Sequence, residues 1–377
     1  MAAPRFGTRR LHWALGLVTG LTLVSCQPRD SAPSQTPPTT NVGAPAASVR
    51  RPSATTTLGP GAATIAATPT PALASPGAWH RAWVADLPWG AAPGQAGRRW
   101  AAEQNPEAPM ALDVAPDGAV WLLDQVNGRV QRLRVAPDGG VTLLGSLQVT
   151  ATTQDLALTP ADGLWLLDRF VSKTARLVDA ATGATRADVA LMGSGVAEPG
   201  AVSALWQRGD GLWVEVEHAT LVRVADFAGV PDPVRPSLPG RVAPGGQRAV
   251  KALRVPPNRV VLQALALPHR PQTAPEWVAD LKLPLPIWAI ADVSFDATGR
   301  TWVVVDLARF VPGEDAPVER GRMAIAVDTT GREVQRLTLC PPVGPEEQFR
   351  TARIGGDGAL YSMCRGESGL RIERWAP

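Results

Sequence analysis

The chain has 377 residues, with 37 Lys and Arg against 34 Asp and Glu and a formal charge of +3. Three of the positive charges, Arg5, Arg9 and Arg10, lie in the first 25 residues, which hold no acid, so the rest carries 34 charges of each sign. A nucleic-acid binder shows a basic surplus; this chain does not, only Lys173, Lys251 and Lys282 among its cations are lysines, and nucleic acid is not expected as a partner.

The three arginines precede an apolar stretch, LHWALGLVTGLTLVS at 11–25. It is shorter than the about 20 residues that a membrane-spanning helix needs. It ends in Leu23-Val24-Ser25-Cys26, which resembles the lipobox of a bacterial lipoprotein signal peptide. The resemblance implies that residues 1–25 are removed and that Cys26 is lipidated. The protein would then be exported and held by its lipid to the cell envelope, facing the periplasm or the cell surface. From 27 to 78, 36 of 52 residues are Pro, Ala, Ser or Thr and none is aromatic. Such a segment buries too little apolar surface to offset chain entropy, so 26–78 is predicted to be a disordered tether. As a flexible coil its ends would lie about 40 Å apart. Composition changes at Trp79, which leaves 79–377 as the folded unit.

That unit opens with WHRAWVAD (79–86), whose alternation fits a strand with one wet face. Beyond it a pattern recurs: Trp121 follows Asp117-Gly118, Trp165 follows Asp162-Gly163, Trp213 follows Asp210-Gly211, Trp302 follows Thr298-Gly299 and Tyr361 follows Asp357-Gly358. In MALDVAPDGAVWLLD (110–124) a short apolar run, a Pro-Asp-Gly turn and an aromatic-headed run read as a tight hairpin, because Gly accepts the positive φ that such turns require. A third strand (128–135, 173–180) and a fourth (140–149, 184–192) follow. The intervals between anchors are 44, 48, 89 and 59 residues. The double interval predicts a hidden copy in RVPPNRVVLQALAL (254–267), anchored on Val261, and the long last one an insertion at 307–320. Six units of four antiparallel strands, with no amphipathic helix, predict an all-β, six-bladed β-propeller. The sixth copy supplies only three strands (348–356, 359–364, 370–375), so 79–86 is expected to pair antiparallel with 370–375 and close the ring.

The repeat, best seen in APDGAVWLLDQVNGRVQRL (115–133), resembles the NHL-repeat and streptogramin-lyase-like propellers, related in shape to the SMP-30 gluconolactonases. The resemblance implies architecture more than activity, since propellers host many functions. It also implies an alternative to a ligand- or protein-binding module, namely a metal-assisted lyase or lactonase-like hydrolase.

Candidate site residues follow from the repeat. Asp124, Asp168 and Asp306 close second strands; they form either an acidic rim suited to a cation or hydrogen-bond acceptors for their own turns, and their recurrence favours the turn role. Ten residues before each anchor stand Ala111, Asp155, Ser203, Lys251, Asp292 and Thr351, at the start of the innermost strand. Repeat consensus does not explain Asp155, Lys251 and Asp292, which are expected either to meet a ligand at the channel mouth or to neutralise one another between blades. In Glu215-Val216-Glu217-His218, strand alternation would separate both Glu from His218. His80 and His269 stand apart, and no HExxH or GxSxG motif occurs. No catalytic residue, cofactor or metal ligand is assigned. With Cys26 reserved for lipid, Cys340 and Cys364 are left either as a disulfide pair, which an exported, oxidising compartment permits, or as two unrelated buried thiols.

Overall fold

In the computed structural model the described residues are 78–100, 106–217, 219–314, 316–344 and 348–377. The expected signal peptide, lipidated Cys26 and tether lie outside them.

The Asp-Gly turns set the local structure. Gly118, Gly299 and Gly358 have φ of 77°, 80° and 78°, the left-handed region that glycine enters without strain. The turn aspartates serve the hairpin: Asp117 accepts from the Ala119 amide and Asp357 from the Ala359 amide. They also reach the anchors. Trp213 Nε1 donates to Asp210, Trp302 Nε1 to Asp296 and the Tyr361 hydroxyl to Asp357. A large ring therefore enters the core with its polar edge satisfied.

The first strand is β1 (His80–Pro88). Blade one is β2 (Ala111–Val114), β3 (Val120–Asp124), β4 (Arg129–Val135) and β5 (Val141–Gln148), and blade two is β6 (Asp155–Leu158), β7 (Gly163–Asp168), β8 (Thr174–Asp179) and β9 (Thr185–Ala190). Blade three is β10 (Val202–Arg208), β11 (Gly211–Val216), β12 (Thr220–Ala225) and β13 (Ser237–Leu238), and blade four is β14 (Arg241–Val242), β15 (Arg248–Val255), β16 (Arg259–Ala266) and β17 (Trp277–Lys282). Blade five is β18 (Ile287–Phe295), β19 (Thr301–Arg309), β20 (Glu319–Val327) and β21 (Glu333–Leu339). The last strands are β22 (Ala352–Ile354), β23 (Leu360–Arg365) and β24 (Gly369–Ala376). Each sheet has four strands in meander order, and the sixth runs β1-β24-β23-β22. This is a six-bladed β-propeller, the architecture implied by the NHL-like and SMP-30-like resemblance. The only helices among the described residues are 3₁₀ turns at Gln125–Asn127 and Pro199–Ala201.

Ring closure is as expected, with a longer strand. β1 pairs antiparallel with β24 from His80↔Ala376 to Pro88↔Gly369, with a register shift between Arg81 and Trp83. Anchors pack between blades: Trp165 against Leu212 and Val214 of blade three, Trp302 against Ala352 and Leu360 of blade six, and Tyr361 against Leu112 and Val120 of blade one. Trp79 lies against Trp302, with ring centroids 4.5 Å apart. Cys340 and Cys364 form a disulfide with Cα atoms 6.0 Å apart, joining the end of blade five to the second strand of blade six.

Blade four corrects one expectation. The segment 254–267 is not its inner hairpin. β15 and β16 are its second and third strands, and the innermost is the two-residue β14, paired through Arg241↔Val250. Val261 therefore sits on the third strand, while the inner turn is Pro244-Gly245-Gly246, with both glycines at positive φ. The anchor site of blade four carries Val250 instead of an aromatic ring, and Val261 lies one strand further out.

Candidate functional site

The innermost strands begin on the face that carries the blade-to-blade connections, and buried ions from all six blades converge there. Asp113 of β2 and Asp155 of β6 each span a gap between blades: Asp113 accepts from the Leu158 amide at 2.8 Å and Asp155 from the Leu205 amide at 2.7 Å. Their counter-ions come from the connection into blade six and its first strand. Arg350 donates to Asp155 and to the Leu205 carbonyl, and Arg353 stands 2.7 Å from Asp113. Across the channel, Arg241 of β14 binds both oxygens of Glu215 (2.7 and 2.9 Å), as well as Asp292 and the Val293 carbonyl. The guanidiniums of Arg241, Arg350 and Arg353 surround the Trp206 ring at 4.2, 5.6 and 5.8 Å from its centroid.

Burial acts against each charge and partners restore it. Desolvation opposes the Arg241 cation, yet Glu215 and Asp292 outweigh it and hold its pKa above the ordinary value. For Asp155 desolvation prevails over Arg350, and its carboxyl is raised. Burial likewise lowers Arg353, against the attraction of Asp113. Asp292 Oδ2, Arg350 Nε and Arg350 Nη1 are buried with no hydrogen-bond partner among the described residues.

Above this layer opens a cavity of about 610 Å³. Its described lining includes Arg169, Arg241, Arg320, Arg322, Arg350 and Arg365 against a single acid, Asp306. Aromatic rings of Trp288, Phe310 and Phe349 complete the wall. The long β19–β20 hairpin brings Phe310 and Arg320 over the opening, where Trp288 and Phe310 pair at 5.1 Å between centroids.

The sequence-predicted residues separate accordingly. Asp155 and Asp292 lie in the buried ionic layer. Lys251 does not; it is half-buried on the second strand of blade four, because the innermost strand there is β14, and Arg241 takes the inner place. Of Asp124, Asp168 and Asp306, Asp306 alone is among the described lining residues of the large cavity. Asp168 accepts from the amides of Phe170, Val171 and Ser172 and from Thr152, as a turn residue does; it borders a separate cavity of about 190 Å³. Asp124 binds the Gly97 amide, Asn127 and Arg129, fastening the 90–97 segment to blade one. Asp306 reaches the mouth but is held bidentately by Arg322 at 2.6 and 3.1 Å. Glu215 lies in β11, whereas Glu217 follows the strand at a φ of 52°, so alternation does not extend to it. His218 falls outside the described residues. His80 is exposed in β1 and His269 lies between β16 and β17, away from the mouth. Among the described residues no group of three His, Cys, Asp or Glu is arranged to hold a metal.

Arg241, Arg350, Arg353 and Trp206 were not anticipated. Only Arg241 left a usable signal, through the Pro244-Gly245-Gly246 turn that marks β14. No protein family and no curated protein matches the chain by sequence. Solved structures similar to it include BamB from Moraxella catarrhalis, at 12% identity over 79% of this chain and 100% of that one with a TM-score of 0.34. The periplasmic gluconolactonase PpgL of Pseudomonas aeruginosa is 15% identical over 80% and 99%, with a TM-score of 0.40. A streptogramin B lyase is 10% identical over 74% and 96%, with a TM-score of 0.35. The propeller assignment rests on the six sheets and their closure, not on these likenesses.

Proposed function

We propose that the protein is an exported lipoprotein, anchored through Cys26, whose propeller acts as a binding module at the basic mouth. The observation that carries the binding role is the cavity of about 610 Å³ over a floor whose carboxylates are engaged by arginines. Asp155 and Asp292 each meet a guanidinium, and Asp306 is held by Arg322. The anchor rests on the Leu23-Val24-Ser25-Cys26 motif and the Pro/Ala/Ser/Thr-rich segment after it.

One experiment addresses both parts. A photo-crosslinking side chain replaces Trp288 at the mouth of the full-length protein or, as a control, Val278 on the exposed outer strand of blade four. Each is expressed with Cys26 intact and as Cys26→Ala. Discrete adducts from position 288 alone, and loss of membrane fractionation on Cys26→Ala, are expected. Equal labelling from both positions would overturn the binding role. Membrane retention of a processed Cys26→Ala chain would overturn the anchor.

A further inference from the structure

The mouth combines three features that bear on what it takes. First, the charge of its described lining residues is one-sided. Arg241, Arg322 and Arg350 meet carboxylates, whereas Arg320 Nη1 donates, among the described residues, to the carbonyls of Pro342 and Gly344 at 3.1 and 3.2 Å. Neutral acceptors leave a full positive charge at the rim. Second, the floor holds unused donors. Arg350 is 2% exposed, lines the cavity, and has no acceptor for Nε and Nη1 among the described residues. Third, the lip is apolar. Trp288 is 58% and Phe310 43% exposed, and Val318 and Val343 are exposed nearby on the segments that flank them. Among the described lining residues a cation would meet six arginines and one acid, Asp306, which Arg322 already holds.

We infer that the mouth binds a small organic anion, a carboxylate or phosphate carried on an apolar ring or chain, with the anion at Arg320 and the apolar body against Trp288 and Phe310. The inference rests on the binding role proposed above and names its ligand class. The volume lies within the about 300–1,000 Å³ of small-molecule sites. Hydrogen bonds from guanidinium to an anionic oxygen are short and roughly twice as strong as neutral ones, and a partly enclosed site lessens screening by salt. The aromatic lip accounts for the apolar half, since a charge-only site has no use for two exposed rings.

Calorimetric titration of the intact protein tests this with four probes: 2-naphthoate, 2-naphthyl phosphate, the neutral 2-naphthylmethanol and inorganic phosphate. At least one naphthyl anion is expected to bind ten-fold or more tightly than both the neutral alcohol and inorganic phosphate, and the better anion identifies the preferred head group. Arg320→Gln should weaken that anion at least five-fold and leave the alcohol unchanged, whereas Trp288→Ala should weaken both. Lys251→Gln, outside the mouth, should change neither. Equal binding of alcohol and anion would overturn the anion assignment and leave a binding pocket in place. Inorganic phosphate binding as tightly as the naphthyl anions would overturn the apolar half. No binding by any probe would overturn the inference and remove support from the binding role itself.

Discussion

A buried carboxylate in this ring acts as a bolt between blades. Asp155 is inaccessible to solvent, yet it receives the Leu205 amide of the next blade and the Arg350 guanidinium, which comes from the connection leading into blade six. Burial raises its carboxyl above the ordinary range, against the opposing pull of Arg350 and the Leu205 amide from two other blades. Asp155→Asn would keep the side chain's shape and remove the counter-charge of Arg350. Breaking a buried pair on one side costs about 3–5 kcal/mol, so chemical denaturation should show a loss of that size. Asp168→Asn is the comparison, because Asp168 serves Thr152 and its own turn; it should cost only about 1 kcal/mol. Similar costs for the two variants would show that Asp155 does not brace the ring.

Hairpins were legible wherever the signal was local. A glycine at positive φ, an aspartate capping the turn and an aromatic two or three residues further on lie within one short stretch, and each has one physical reason to be there. Blade four lacks the ring at that position, and a proline-rich turn between its second and third strands resembles the repeat more closely than its true inner turn, Pro244-Gly245-Gly246. Counting back from Val261 therefore reaches Lys251 on the second strand instead of the innermost one. The ionic layer was illegible for another reason: Asp155 and Arg350 are separated by 195 residues and Arg241 and Asp292 by 51, and nothing in either neighbourhood names its partner. The disulfide was accessible by elimination, since two cysteines remained in a segment read as exported. It joins β21 to β23 across two blades and begins the segment that carries Pro342 and Gly344, the carbonyl partners of Arg320. A closed loop of this length is worth about 3 kcal/mol in the chain-entropy model. The double variant Cys340→Ser, Cys364→Ser should lose stability of that order in oxidising buffer, and the wild type should lose the same amount on adding a reductant. A reductant effect that persists in the double variant would place its origin elsewhere.

A ring of blades must fasten its first strand to its last, and here the fastening is β1. Eight positions of β1 pair with β24, Ala85 and Leu87 are fully buried, and Leu87 joins Leu370 and Ile372 in the core between blades six and one. The ladder bonds at about 1 kcal/mol each, with the buried Leu87 at about 2 kcal/mol, are comparable to the whole 5–15 kcal/mol by which domains are stable. Removing β1 would also expose β24 as an unpaired edge, a template for aggregation. A chain beginning at Ala78 should therefore unfold cooperatively at the same denaturant midpoint as the longer protein, whereas one beginning at Ala91 should fail to fold. Failure alone would not show that pairing is the cause. His80 lies opposite Ala376 in an antiparallel ladder, so 79–90 can be transplanted after Pro377 through a short Asn-Gly turn, which suits a two-residue hairpin. In that permuted chain β1 follows β24 directly and the register is preserved. If β1 works by closing the sixth sheet, the permutant recovers cooperative unfolding that the truncated chain lacks. A permutant that stays unfolded beside a stable chain beginning at Ala78 would mean that the link from β1 through the 90–97 segment into blade one, and not the pairing with β24, holds the ring shut.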